Sequence, residues 1–126
     1  MKKTIWLVDD DEDMLRAINL MLEMLGYKTR FFLAARPAAQ ALLDGKKPDL
    51  ILLDINMPEV SGLDMLEFVR RRKTWDSMPV VMLSTEAADV TVDDAFKLGA
   101  DGYVTKPVMI DELERQIKEA IQKRKS

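Results

Sequence analysis

Leu50-Ile51-Leu52-Leu53-Asp54 is a run of four apolar residues closed by a carboxylate. A short apolar run without polar alternation is the pattern of a strand covered on both faces, as in the middle of a parallel sheet. Pro48 lies before it, and Pro58 and Gly62 punctuate a loop after it. Ile5-Trp6-Leu7-Val8 and Pro79-Val80-Val81-Met82-Leu83 have the same character. Lys28 to Phe32 reads as a more polar strand, and Tyr103-Val104 as the core of a short fifth one. Between these runs the hydrophobic period lengthens to three and four. Met14, Leu15, Ile18, Met21, Leu22 and Leu25 form one stripe of a helix, and Gly26 follows where a helix stop belongs. Ala34 to Leu43 predicts a short helix. Ser61 with Asp64 resembles an N-terminal cap for a helix carrying Leu63, Leu66, Phe68 and Val69 and closing in Arg70-Arg71-Arg72-Lys73. A helix of roughly ten residues, to Gly99, and a last one from about Ile110 to Lys123 complete the chain. Strand and helix thus alternate five times. That order implies an α/β, doubly wound, five-stranded parallel sheet with right-handed crossovers and helices on both faces.

Composition narrows the chemistry. The 126 residues suit one domain, and a chain this long builds a core without covalent staples. There is no cysteine and no histidine, which removes disulfides, thiolate or imidazole metal sites and histidine-dependent hydrolase mechanisms. The net charge of −3 offers no overall attraction to nucleic acid. No apolar run reaches the ~18 residues of a membrane span, and the acid-rich stretch from Asp9 is unlike a signal peptide. The expectation is a cytoplasmic domain with neither nucleic acid nor membrane as a direct partner.

In open parallel sheets, ligands bind beyond the carboxyl ends of the strands. Reading outward from those ends gives Asp9 and Asp10 after the first strand, Asp54 after the third, Ser84 and Thr85 after the fourth, and Lys106 after the fifth. Each has an ordinary explanation alone: a solvated acidic run, an Asx turn, a loop hydroxyl, an exposed lysine. Their arrival at one rim from four strands is what points to function. Two unit charges ~4 Å apart repel by about 4 kcal/mol at an effective dielectric of about 20. Three clustered carboxylates therefore call for a proton or a cation. An all-oxygen donor set suits Mg²⁺, with Mn²⁺ as a substitute. A carboxylate in such a site can attack phosphorus to form an aspartyl phosphate. Asp54 fits the nucleophile, Asp9 and Asp10 the metal ligands, Lys106 a charge partner and Ser84 a phosphoryl contact.

The quoted residues resemble the receiver domain of bacterial two-component response regulators, and most of all its single-domain chemotaxis type. The matching motifs are Leu7 to Asp10, Asp49 to Pro58 with Gly62, Pro79 to Ser84, and Gly99 to Pro107, so the resemblance extends over residues 1–126. It implies a flavodoxin-like (βα)5 fold with strand order 2-1-3-4-5. It implies phosphorylation of Asp54 by a histidine kinase or phosphotransfer protein, with Mg²⁺ held by Asp10, Asp54 and the carbonyl of Asn56, and Asp9 acting through water. It implies self-phosphorylation and autodephosphorylation rather than turnover of a substrate. Ser84 and Tyr103 are then the switch residues, Asn56 and Glu86 tune dephosphorylation, and the Lys106-Pro107 bond is cis. The surface of the fourth helix, fifth strand and fifth helix is read by a downstream target or an output domain. Met14 is a candidate kinase contact.

Two departures stand out: Ser84 where threonine is commoner, and Val108 where phenylalanine often follows Lys-Pro. A flavin mononucleotide carrier of the same topology is disfavoured because five acids follow the first strand. A haloacid-dehalogenase-type phosphatase needs a second acid two residues past its nucleophile, where Asn56 stands, and a nucleotide hydrolase needs a Gly-x-x-x-x-Gly-Lys loop that is missing.

Overall fold

In a computed structural model, which describes residues 2–85 and 89–125, the apolar run around Leu52 is the middle strand of the sheet. The elements are β1 (Thr4–Val8), α1 (Glu12–Met24), β2 (Lys28–Phe32), α2 (Ala35–Leu43), β3 (Leu50–Asp54), α3 (Gly62–Arg70), β4 (Val80–Ser84), α4 (Asp89–Lys97), β5 (Gly102–Thr105) and α5 (Ile110–Lys125). All strand pairs are parallel, in the order β2-β1-β3-β4-β5. Every residue of β3 and of β4 is buried, which accounts for their unbroken apolar composition.

Alternate side chains of the strands feed two cores. Trp6, Val8, Ile51, Leu53, Val80 and Met82 pack toward α2, α3 and α4. Ile5, Leu7, Leu50, Leu52, Val81 and Leu83 pack toward α1 and α5. Trp6 is core, as expected, with its ring centroid 5.0 Å from Phe32. The tryptophan fills space that the alanine-rich α2 leaves. Val108 is buried in the second core, so the site where phenylalanine is common is packed by the smaller side chain.

Helix boundaries move slightly from the sequence reading, for local reasons. α1 starts at Glu12, two residues before its apolar stripe, because Asp11 caps it, accepting from the backbone N–H groups of Asp13 and Met14. It ends in a Schellman motif: Tyr27 donates to the Leu22 carbonyl and Gly26 to the Glu23 carbonyl, with Gly26 at φ 92°. The Ser61–Asp64 pair is a reciprocal capping box. α3 stops at Arg70, the first residue of the basic run, and Lys73–Trp75 forms a short 3-10 helix. α4 forms through Val90-Thr91-Val92 despite that run's poor helix propensity; tertiary packing overrides it.

The last residue of α3 serves a buried carboxylate. Asp101, with a side chain only 1% exposed, accepts from Arg70 at 2.8 Å, from Arg124 at 2.6 Å and from the Val80 N–H at 3.0 Å. Both guanidiniums also donate to the Gly99 carbonyl. One aspartate thus ties α3, the starts of β4 and β5, and the end of α5. Breaking a buried pair by removing one partner costs about 3–5 kcal/mol. Asp101→Ala is therefore expected to lower unfolding free energy by about 3 kcal/mol in urea titrations; a loss within ~0.5 kcal/mol of zero contradicts this account.

Candidate functional site

Parallel pairing brings the last residues of β1, β3, β4 and β5 to one rim. Asp54 is the final residue of β3, with its Cα opposite Leu83, and Ser84 is the final residue of β4, opposite Thr105. Ser84 is therefore a fully buried strand residue, not a loop hydroxyl. Asp9 directly follows β1 and is anchored through its N–H to the Phe32 carbonyl. The Lys106 N–H donates to the Ser84 carbonyl at 2.7 Å, and the Lys106–Pro107 peptide is cis.

The side chains converge as the spacing predicts. Asp9, Asp10 and Asp54 each offer a carboxylate oxygen within 4.8 Å of the others. Asp9 is fully buried and uses both oxygens, one on the Asp11 N–H at 3.0 Å and one on Lys106 Nζ at 2.9 Å. Asp54 receives Lys106 Nζ on Oδ1 at 3.3 Å. Asp10 is exposed. One ammonium is thus shared between two buried carboxylates, and the third carboxylate faces solvent.

The electrostatics are lopsided. Burial, then the Asp9 charge, push Asp54 up to about 6; Lys106 pulls it down without cancelling either, and Asp10 adds to the rise. Burial alone lowers Lys106, but its hydrogen bond to Asp9 and the charge of Asp54 outweigh that, and the net shift is upward. The chemistry fits a hard dication: three convergent oxygen donors, an unneutralised charge and no nitrogen or sulfur ligand.

Glycine is required behind Asp54. A Cβ on Gly62 would stand 2.1 Å from the Asp54 carbonyl oxygen, because the Gly62 N–H donates to the Ile55 carbonyl and draws α3 against the end of β3. Ile55 and Met57 are buried while Asn56, two residues past Asp54, is exposed between them. Tyr103 is buried, 8% exposed, in the core that faces α4. Met14 is half-buried against the α1–α5 core. Glu86 lies outside the described residues. The Asp101 clamp escaped sequence reasoning, since nothing in Gly99-Ala100-Asp101 signals that two arginines 31 and 23 residues away close on it.

Because Asp54 binds its proton more tightly in the folded state than an unfolded carboxyl near pH 4 does, its contribution to stability is complete below about pH 4 and is lost as pH rises through about 6. Asp54→Asn is expected to raise the stability of metal-free protein at pH 7.5 by about 1 kcal/mol, roughly 4 °C in Tm. The gain should shrink toward zero near pH 4. An equal gain at both pH values rules out charge as its cause.

A family model described as the response regulator receiver domain matches residues 5–118. Protein RcaC of Microchaete diplosiphon is 33% identical over 119 residues, covering 94% of this chain and 18% of that protein. The phosphate regulon transcriptional regulatory protein PhoB of Pseudomonas aeruginosa is 32% identical over 121 residues, covering 96% of this chain and 52% of that one. The chain thus spans about half, or less, of the length of these curated relatives. Among solved structures, a CheY-like receiver domain protein from Methanospirillum hungatei superposes with a TM-score of 0.86 at 27% identity, covering 99% and 98% of the two chains. The Vibrio cholerae chemotaxis protein CheY4 superposes with a TM-score of 0.85 at 25% identity, covering 95% and 99%. No helix among the described residues is long and apolar enough to cross a membrane. The sheet order, the acidic rim and these matches agree, and the chain belongs to the response regulator receiver domains of two-component signalling.

Proposed function

We propose that residues 1–126 form one receiver domain in which Asp54 is the phosphoacceptor, supplied by a histidine kinase or phosphotransfer protein. The observation that carries this reading is the shared ammonium: Lys106 bridges Asp9 and Asp54, so the carboxylate on the central strand is buried, oriented and still under repulsion. Asp10, Asp54 and the Asn56 carbonyl are the proposed Mg²⁺ ligands, with Asp9 linked through water, since both its oxygens are already engaged. A bound Mg²⁺ supplies neutralisation of carboxylate and phosphoryl oxygens.

The chain's own groups then have distinct tasks. Asp54 attacks phosphorus through a carboxylate oxygen; the bond from phosphorus to its donor breaks, and the donor leaves with that electron pair. Lys106 holds the opposite oxygen of Asp54 and offers its remaining donors to the phosphoryl group. The Ser84 hydroxyl, at the end of β4, is the neutral donor on the same side. A phosphoryl group brings roughly −2 charge and three acceptor oxygens. It stabilises the arrangement in which Ser84 is drawn toward Asp54 and the Tyr103 ring lies inward, a shift in population between existing states. The α4–β5–α5 surface carries that difference to a target protein or output domain. Asn56, exposed beside the nucleophile, governs access of the water that ends the signal; Glu86 is proposed for the same task from sequence alone.

Incubation with acetyl phosphate and Mg²⁺ is expected to add one phosphoryl group by intact mass, and to add none to Asp54→Ala or in the presence of a chelator. Labelling of Asp54→Ala at the wild-type rate refutes the assignment. Mg²⁺ alone is expected to raise the Tm of the unphosphorylated wild type at pH 7.5 and to leave that of Asp54→Asn nearly unchanged. Equal shifts in both place the ion elsewhere.

A further inference from the structure

Nine of the eleven lysines have no carboxylate partner among the described residues, and all nine lie at one end of the fold. Lys2 and Lys3 precede β1, Lys28 opens β2, and Lys46 and Lys47 lead into β3. Lys73 lies between α3 and β4, Lys97 closes α4, and Lys123 and Lys125 stand in the last turn of α5. Since the strands are parallel and the helices run back between them, these positions share the amino-terminal end of the sheet, opposite Asp9, Asp10 and Asp54. All nine are exposed and none enters an ion pair among the described residues. The other two are Lys106, in the site, and Lys118, paired with Glu114 at 3.3 Å.

The remaining charges of this end are less available. Arg70 and Arg124 are spent on Asp101 and the Gly99 carbonyl, Arg71 pairs with Glu67, and Arg72 lies over the rings of Phe68 and Trp75. The acids here, Glu23, Asp44, Asp49, Glu67, Asp76 and Asp101, are fewer than the nine lysines, and Glu67 and Asp101 are taken up by arginines. Apolar side chains stand among the ammoniums. Met24 and Leu43, the last residues of α1 and α2, are 71% and 50% exposed. One groove sets Lys2, Lys3 and Lys118 around Leu25, Tyr27 and Ile121, and a second sets Lys46, Lys47 and Arg72 beside Leu43.

We infer that this end docks on an anionic phospholipid surface. Helix dipoles account for basic residues in a helix's last turn, hence for Lys97, Lys123 and Lys125, but not for Lys2, Lys3, Lys28, Lys46, Lys47 or Lys73. Scattered point charges with exposed apolar side chains between them match a headgroup layer, where lysines meet diffuse negative charge and Met24 and Leu43 enter the interface. Nucleic acid is the poorer fit: recognition of phosphate and bases favours free guanidinium forks and open stacking aromatics, whereas the arginines here are engaged, Trp75 is buried, and Phe96, 40% exposed, is covered by Lys123 at 5.3 Å. The net charge of −3 is no obstacle. Screening acts over ~8 Å at physiological salt, while the two ends are separated by five-residue strands of roughly 16 Å plus their loops. Docked in this way, the acidic rim faces away from the lipid.

The test is flotation of the full chain with vesicles of phosphatidylcholine and phosphatidylglycerol (about 7:3) against phosphatidylcholine alone, a composition anionic enough to attract a polybasic face. Binding to the anionic vesicles only is expected at low salt, falling at least tenfold as salt approaches three times the physiological level. Each lysine near the surface is worth about fivefold in partition. Lys2→Gln/Lys3→Gln/Lys46→Gln/Lys47→Gln should therefore lose at least a hundredfold, with unchanged circular dichroism and unchanged acetyl phosphate labelling. Arg16→Gln/Arg36→Gln, which removes charge near the acidic end, should bind as wild type. Absence of anion-dependent flotation overturns the inference, as does equal weakening by both variants. Tighter binding to a duplex DNA oligonucleotide than to the vesicles overturns it in favour of nucleic acid. Concentration-dependent self-association that the lysine variant abolishes overturns it in favour of a second copy's acidic end. Labelling of Asp54 is independent of all these outcomes.

Discussion

One ammonium shared by two buried carboxylates is the interaction on which the site depends. Asp9 and Asp54 end neighbouring strands of a parallel sheet, so the backbone brings their charges together whatever the side chains prefer. Lys106 answers from the far side of β4, two strands from β1, and its position is set by a backbone hydrogen bond to Ser84. The pairing is incomplete: Lys106 satisfies Asp9 through a short contact and Asp54 through a longer one, and burial keeps Asp54 near 6. A carboxylate held above its usual range beside two others is a place where a divalent cation or a phosphoryl group with its counter-ions lowers the free energy.

The fold separates stability from this strained chemistry. Both faces of β3 are sealed by two apolar cores. At the opposite end, Asp101 is met by two guanidiniums and a backbone N–H, so that carboxylate is fully compensated where Asp54 is not. The same residue type thus fastens four elements at one end and is left incompletely paired at the other. Gly62 connects the two roles locally: only the absence of a Cβ lets α3 start against the Asp54 carbonyl, which fixes the strand end that carries that carboxylate.

Charge is segregated along the strand axis in a way a single net value hides. Acids gather where strands end and α1 begins, and free lysines gather where strands begin. A chain that averages to −3 therefore presents two surfaces of opposite sign, too far apart for either to screen the other. The net charge argues against nucleic acid and the lack of an apolar span against a crossing segment, but neither bears on a peripheral contact, and the distribution is what raises that question for the lysine-rich end.

Element type, order and most of the rim were legible before any coordinates. Leu50 to Leu53 is apolar because both sheet faces are covered, and a strand's carboxyl end is where a ligand meets an open sheet, so Asp9, Asp54, Ser84 and Lys106 could be placed together from their neighbours alone. The capping box of α3 was readable because it acts over three residues. The tertiary structure decided what depends on long-range approach: that Lys106 divides itself between two aspartates, that Arg70 at the end of α3 clamps Asp101, and that nine lysines from six segments gather at one end. Local sequence encodes periodicity and caps, whereas a charge's partner is whichever group the folded chain brings within a few ångströms, and that is a property of packing rather than of spacing.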